Sequence, residues 1–299
     1  MHKLVLQYFE IPFVFLLLPA VSYSQNNYQV EISAGLINDK DNTGKLEGTL
    51  VTAEIFLDEV TTGSHPYAEA AFLEKASSLA VGYFDADYNS TNFDFSEDGM
   101  LLGVNYTEPN SLFIFQVVYL ISDTDYQNGL NGNLEADSTY IGVGKYISEN
   151  SAIMGKYSES DGEASFLPSS TAIIKKTEIG VAYKLVEELQ DGTAFNFEAS
   201  LTSFDVDINF NSKTNNISET NTIIEFSGDY YQSQSISFGA SFEMNSGDNK
   251  VSEGKTLGLN LNVFLMPTFA VFVEFNQFDA DNTSGDDSDE VVFGGVARF

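Results

Sequence analysis

The sequence predicts an all-β chain, closed into a transmembrane, antiparallel up-and-down barrel of about fourteen strands, with twelve and sixteen as the even-numbered alternatives. Three observations carry this. Segments of roughly 9–11 residues alternate apolar and polar positions, the length a tilted strand needs to cross a bilayer. The connections between them alternate between short and long. The chain also ends inside such a segment, EVVFGGVARF, in which Val291, Phe293, Gly295, Ala297 and Phe299 form an apolar or small face that runs to the last residue. Chain ends usually fray, so a terminal strand implies that something pairs with it.

Taken in order, residues 1–24 read MHKLVLQYFEIPFVFLLLPAVSYS. Lys3 precedes an apolar stretch from Ile11 to Val21, and Ser22 and Ser24 stand where an A-x-A-like cleavage site needs small residues. This is the pattern of a secretory signal peptide, and the stretch is shorter than the roughly 20 residues of a spanning helix. Residues 25–299 then form one barrel domain. Its first strand, YQVEISAGL, sets Tyr28, Val30, Ile32 and Ala34 against Gln29, Glu31, Ser33 and Gly35.

The pattern breaks at residues 58–77. After a strand over 46–57, YAEAAFLEKAS is rich in Ala and Glu, which favours a helical turn. We read 58–77 as a periplasmic segment tucked partly into the barrel mouth, with Leu79 opening the next strand. A generous count gives about fifteen strands, and single-chain bacterial barrels have an even number, so this segment is left out of the wall. Alternation returns in TAFNFEASLTSF, where Phe195, Phe197, Ala199 and Leu201 oppose Asn196, Glu198, Ser200 and Thr202. It recurs in SISFGASFEMN and in TLGLNLNVFL, whose Leu257, Leu259, Leu261, Val263 and Leu265 share one face. Short connections are expected at 107–111, 147–150, 232–235 and 266–268. Long ones are expected at 85–99, 122–138, 158–175, 208–221, 245–254 and 279–290. Tyr106, Tyr119, Tyr146, Tyr157, Tyr183 and Tyr230 fall near strand ends, where interfacial girdles sit.

Composition narrows the function. The chain has 44 acids against 13 bases and a net charge of −31. Removal of the signal takes one of each, Glu10 and Lys3, and leaves that balance unchanged. Nucleic acid is excluded as a partner, because phosphate binding needs clustered Lys and Arg. Such acidity with few apolar residues would imply disorder, but 43% of residues are hydrophobic and there are 25 Phe and 15 Tyr. No cysteine occurs, so an exported chain must hold itself together without disulfides, as a hydrogen-bonded closed sheet does.

The terminal VVFGGVARF, the signal peptide and the amphipathic strands together resemble Gram-negative outer-membrane β-barrels. Within that class, EISAGLIND, YAEAAFLEKASSLAVGYF and the overall size are similar to small predicted porins of marine gammaproteobacteria, across essentially the whole mature chain. The resemblance implies residence in the outer membrane, contact with its lipid and lipopolysaccharide, and a passive pore. It also makes Phe293 and Phe299 the signal read by the barrel assembly machinery, with Ala297 a departure, since a larger residue is commoner there.

In lipid every backbone polar group must be paired, so only a closed sheet spans. If the apolar faces meet lipid, the opposite faces line the lumen. That inward set contains Glu31, Glu54, Glu178, Glu198, Glu225, Asp229, Glu243 and Glu274, with Lys184 among them and Lys145 and Lys156 ambiguous. Carboxylate rings attract cations and repel anions, and a narrow low-dielectric passage strengthens that field. The expectation is a water-filled, cation-preferring pore for small hydrophilic solutes. The only arginine, Arg298, stands at the terminal end, so an eyelet of arginines facing acids cannot be built.

Other classes fare worse. His2 leaves with the signal and His65 sits in the periplasmic segment, so a Ser/His site at the outer rim is not available. No phosphate loop, dinucleotide fingerprint or His-rich metal cluster is present. We assign no catalytic residues, no cofactor and no specific metal site. In DADNTSGDDSDE (279–290), Asp279, Asp281, Thr283, Asp287 and Glu290 match a calcium-loop spacing, but Gly285 is one place late, and a solvated acidic hairpin tip that at most holds Ca²⁺ or Mg²⁺ loosely near lipopolysaccharide is the reading adopted. A non-conducting structural or adhesive barrel is the alternative function. A soluble β-sandwich is disfavoured by strand length and the terminal Phe299.

Overall fold

The computed structural model describes residues 27–41, 44–90, 94–127, 131–166, 170–189, 192–211, 217–247, 253–280 and 287–299. Fourteen antiparallel strands close into one barrel. They are β1 (Asn27–Asp41), β2 (Gly44–Thr61), β3 (Ser78–Ser90), β4 (Asp94–Thr107), β5 (Phe113–Gln127), β6 (Gly132–Ser148) and β7 (Ser151–Phe166) in the first half. The second half comprises β8 (Ser170–Glu188), β9 (Ala194–Phe210), β10 (Ile217–Ser233), β11 (Ile236–Gly247), β12 (Gly254–Met266), β13 (Phe269–Ala280) and β14 (Ser288–Arg298). Each strand pairs with its sequence neighbours, and β14 returns to pair with β1 through Ile32↔Ala297 and Leu36↔Phe293. Phe299 extends that seam: its N–H donates to the Val30 carbonyl at 2.9 Å, and its carbonyl accepts from Gln29 and Val30. The terminal strand is therefore paired on both edges, which is why it does not fray.

The period-two pattern maps onto the two faces of this wall. Leu36, Ile55, Leu102, Phe115, Leu201, Leu259 and Phe293 are among the large apolar residues exposed on the outside, as a lipid-facing band requires. Among the described residues no helix is long and apolar enough to cross a membrane, and the crossing elements are strands.

Two expectations are corrected. The strands run 11 to 19 residues rather than about 9–11, and most of the expected long connections are strand: β3 continues to Ser90 and β4 resumes at Asp94, inside the loop expected over 85–99. The reason lies in the outer face. A strand of 17 residues, such as β6, rises about 3.3 Å per residue, and at a tilt of about 40° it stands roughly 40 Å tall, well beyond an apolar band about 25 Å tall. Above the lipid the outward positions turn acidic while backbone pairing continues. Asp85, Asp98, Asp123, Glu135 and Glu163 form one row of direct cross-strand partners on five consecutive strands. Like charges directly opposite are destabilising on a sheet, but water and salt screen them there, so the row marks the edge of the hydrocarbon. The second correction concerns Tyr146. It points inward and is 6% exposed, whereas Tyr106, Tyr119, Tyr157 and Tyr230 stand on the outside as expected.

The barrel has unlike ends. One carries both ends of the wall and short turns, such as 149–150, 234–235 and 267–268; this is the expected periplasmic end. Residues 62–77, between β2 and β3, leave the wall there and form a 3-10 turn (Tyr67–Glu69) that runs into a short helix α1 (Ala70–Leu73).

Candidate functional site

Directly paired residues on adjacent strands face the same side, so the register assigns each candidate to a face. All nine expected lumen residues lie on the inner face. Glu31 opposes Glu54, Lys184 opposes Glu198, Asp229 opposes Asn196, Glu225 opposes Glu243, Glu274 opposes Asn260 and Glu178 opposes Phe204. Of the two ambiguous lysines, Lys156 joins them opposite Gly142. Lys145 opposes the outward Phe113 and sits 5.1 Å from that ring.

They do not form one ring. Glu178, Glu225, Glu243 and Glu274 lie midway along the lumen. Lys184, Glu198 and Asp229 lie nearer the short-turn end. Glu31 and Glu54 lie deeper towards that end and are 4% and 8% exposed, so they are packed rather than bathed. A buried acid needs a counter-charge or hydrogen bonds; Arg298 supplies the first to Glu31 and Ser78 the second to Glu54. Arg298 Nε is 3.8 Å from Glu31 Oε2, and its guanidinium covers the Tyr28 ring at 4.0 Å.

Segment 62–77 lies across this end of the lumen and is tied to the wall around its circumference. Arg298 Nη2 donates to the Tyr67 carbonyl at 2.7 Å. The Tyr67 N–H donates to the Gln234 carbonyl at 2.9 Å, and Gln234 Nε2 donates to the Gly63 carbonyl at 3.0 Å. Tyr146 OH donates to the Phe72 carbonyl at 2.9 Å. Glu69 is the centre of the attachment. It receives Lys184 at 2.9 Å from β8, Asn196 at 2.9 Å from β9 and Tyr231 OH at 2.8 Å from β10. Lys184 also reaches Glu198 at 2.7 Å. His65 lies between Glu188 of the wall, at 2.7 Å, and Glu74 of the segment, at 3.2 Å.

The opposite half of the lumen carries an apolar collar on the inner faces of β3 to β9. Tyr88, Phe95, Tyr126, Leu134, Ile174, Phe204, Val206 and Ile208 are buried together there. Of the calcium-loop residues, Asp281, Thr283 and Gly285 lie outside the described residues.

No family model matches the chain. No curated protein matches it in sequence. Solved structures do match. Omp33, an outer-membrane protein of Acinetobacter baumannii, superposes with a TM-score of 0.57 at 18% identity, over 92% of this chain and 99% of that one. The monoaromatic hydrocarbon channel CymD superposes with a TM-score of 0.53 at 11% identity, over 91% of this chain and 89% of that one. The fold is that of a Gram-negative outer-membrane β-barrel.

Four residues at the centre of this arrangement were not among the expected lumen residues: Glu69, Asn196, Tyr231 and Tyr146. Asn196 and Tyr231 had a signal, since strand parity puts both on the inner face. Glu69 had none, because its partners are remote in sequence, 127 and 162 residues away for Asn196 and Tyr231.

Proposed function

We propose that this protein is an outer-membrane diffusion pore for small hydrophilic solutes, with a preference for cations, seen with its short-turn end closed by segment 62–77. The supporting observation is the charge of the inner face. Glu225 and Glu243 are direct neighbours, the next strands add Glu274 beside Asn260, and Glu290 follows opposite Asn276. Among the described residues no inner-face lysine interrupts that series. A carboxylate-lined passage concentrates cations and repels anions. The names of Omp33 and CymD add that an outer-membrane barrel, and one described as a channel, share this architecture; the solutes of neither carry over.

The test is single-channel recording of the refolded protein in a planar bilayer under a KCl gradient. Stable openings with a reversal potential on the K⁺ side are expected, and replacing Glu225 and Glu243 by Gln should move that potential towards zero. Openings with no preference, or with a preference for Cl⁻, would sink the cation reading.

The density of ties on segment 62–77 favours a second reading, a non-conducting structural or adhesive barrel. Correctly folded protein that never opens, even with those ties removed, would select it.

A further inference from the structure

Three cations inside the barrel each sit against both a carboxylate and a ring. Lys176 is 2.6 Å from Glu178 and 4.6 Å from the Phe204 ring centre. Lys184 is 2.7 Å from Glu198 and 5.0 Å from the Phe72 ring. Arg298 combines Glu31 at 3.8 Å with Tyr28 at 4.0 Å. A carboxylate neutralises the charge, and the negative face of an aromatic ring attracts a partly desolvated ammonium.

Glu97 offers a carboxylate close in register to several aromatic residues of β3, β4 and β5. Glu97 is on the inner face of β4, opposite Ala86 of β3 and Thr124 of β5. Its carboxylate is hydrogen-bonded by Ser122, and among the described residues no Lys, Arg or His pairs with it. Rings stand on both sides along the lumen. Towards the outer end, Phe95 packs on Tyr88 with ring centres 5.3 Å apart, and Tyr126 follows at 6.2 Å from Phe95. Towards the middle, the Phe84 ring lies over Gly99, where a Cβ would come within 2.5 Å of its Cζ and 2.6 Å of the Ile121 carbonyl oxygen. Glycine at 99 therefore leaves room for the Phe84 ring, one inward position along β4 from Glu97. Phe84 and Glu97 are both only partly buried, so the lumen reaches them.

We propose that Glu97, with Phe84 and the Phe95–Tyr126 rings, is a binding site for a small organic ammonium ion entering from the long-loop end. This names a solute class for the pore reading and rests on it. The carboxylate sets the charge and the partly exposed Phe84 ring takes the apolar body. Simple metal cations keep their water shells and have no apolar body to bury on a ring, so the site discriminates between solutes that the mid-lumen acids treat alike.

The experiment is calorimetric titration of the refolded full-length barrel in detergent with benzylammonium chloride, with benzyl alcohol as its uncharged counterpart. Saturable one-site binding of benzylammonium is expected, at least tenfold tighter than benzyl alcohol. Glu97→Gln and Phe84→Leu should each weaken it at least tenfold, while Asp98→Asn, which removes the neighbouring charge from the opposite face, should leave it unchanged. Heat-modifiable mobility on gels verifies that each variant is folded. No saturable binding by folded wild-type protein, equal binding of the alcohol, or undiminished binding in both folded variants overturns the proposal. Potassium conductance measured without benzylammonium keeps the two readings apart. A conducting barrel that ignores benzylammonium loses only this site, and a binding barrel that never conducts loses the pore.

Discussion

Lys184 on the wall and Glu69 on the segment across the mouth are 2.9 Å apart, and the same ammonium is 2.7 Å from Glu198. One lysine thus joins a helical turn outside the sheet to the barrel itself. Glu69 is almost fully buried while Lys184 is about a quarter exposed, so removing the lysine strands a carboxylate in a dry site.

Breaking that contact should favour the open lumen. Removing one partner of a fully buried pair costs about 3–5 kcal/mol, and the partial exposure of Lys184 reduces this to roughly 1–2 kcal/mol. Lys184→Met and Glu69→Gln are each expected to raise the open probability in planar bilayers at least fivefold. Unchanged open probability in both would show that segment 62–77 does not control passage.

The outer face makes a depth-dependent prediction. Leu102 is 57% exposed in the apolar band, and Asp98 on the same strand belongs to the acidic row. Leu102→Arg should destabilise the barrel by about 2–4 kcal/mol, the cost of an arginine near the bilayer midplane, while Asp98→Arg should cost about 0–1 kcal/mol. Urea unfolding from lipid vesicles measures both. Equal effects would place the membrane elsewhere on the wall.

Phe299 separates folding from assembly. Its ring is 53% exposed and its seam contacts are made by backbone atoms, which Phe299→Ala keeps. Refolding yield and thermal stability in detergent should barely change. The level of folded barrel in the outer membrane of cells should fall several-fold if the ring is read during assembly, and an unchanged level would remove Phe299 from that signal.

The turn between β4 and β5 offers a pH measurement outside the membrane. Hydrogen bonds from the Ser111 hydroxyl, from Asn110 and from the Ser111 N–H hold the Glu108 carboxyl down to about 2. The folded value lies below the ordinary value of about 4.3. The contribution to turn stability is therefore complete above the ordinary value and is lost as pH falls through about 2. Carbon-13 NMR of that carboxyl should titrate near 2 in the native protein, and should move towards the ordinary value in Ser111→Ala combined with Asn110→Ala, where only the backbone N–H donors remain.

The sequence by itself determined the wall. Period-two alternation sorts every described strand into an outer and an inner face, because successive side chains must point to opposite sides of a sheet. Lipid then leaves only a closed barrel as the way to pair the backbone. That logic reached the nine inner-face residues and the terminal strand without any coordinates. It failed for Tyr146 because proximity to a strand end does not fix which way the side chain faces. It also missed the upper thirds of the strands, since hydropathy reports lipid and the hydrogen-bond ladder continues past it. What only the tertiary structure decided is what the inner face meets. Glu69 closes on Lys184, Asn196 and Tyr231, Arg298 finds Glu31 and the Tyr67 carbonyl, and among the described residues no Lys, Arg or His pairs with Glu97. These are contacts across a lumen, between residues separated by tens to hundreds of positions, and no local period encodes them.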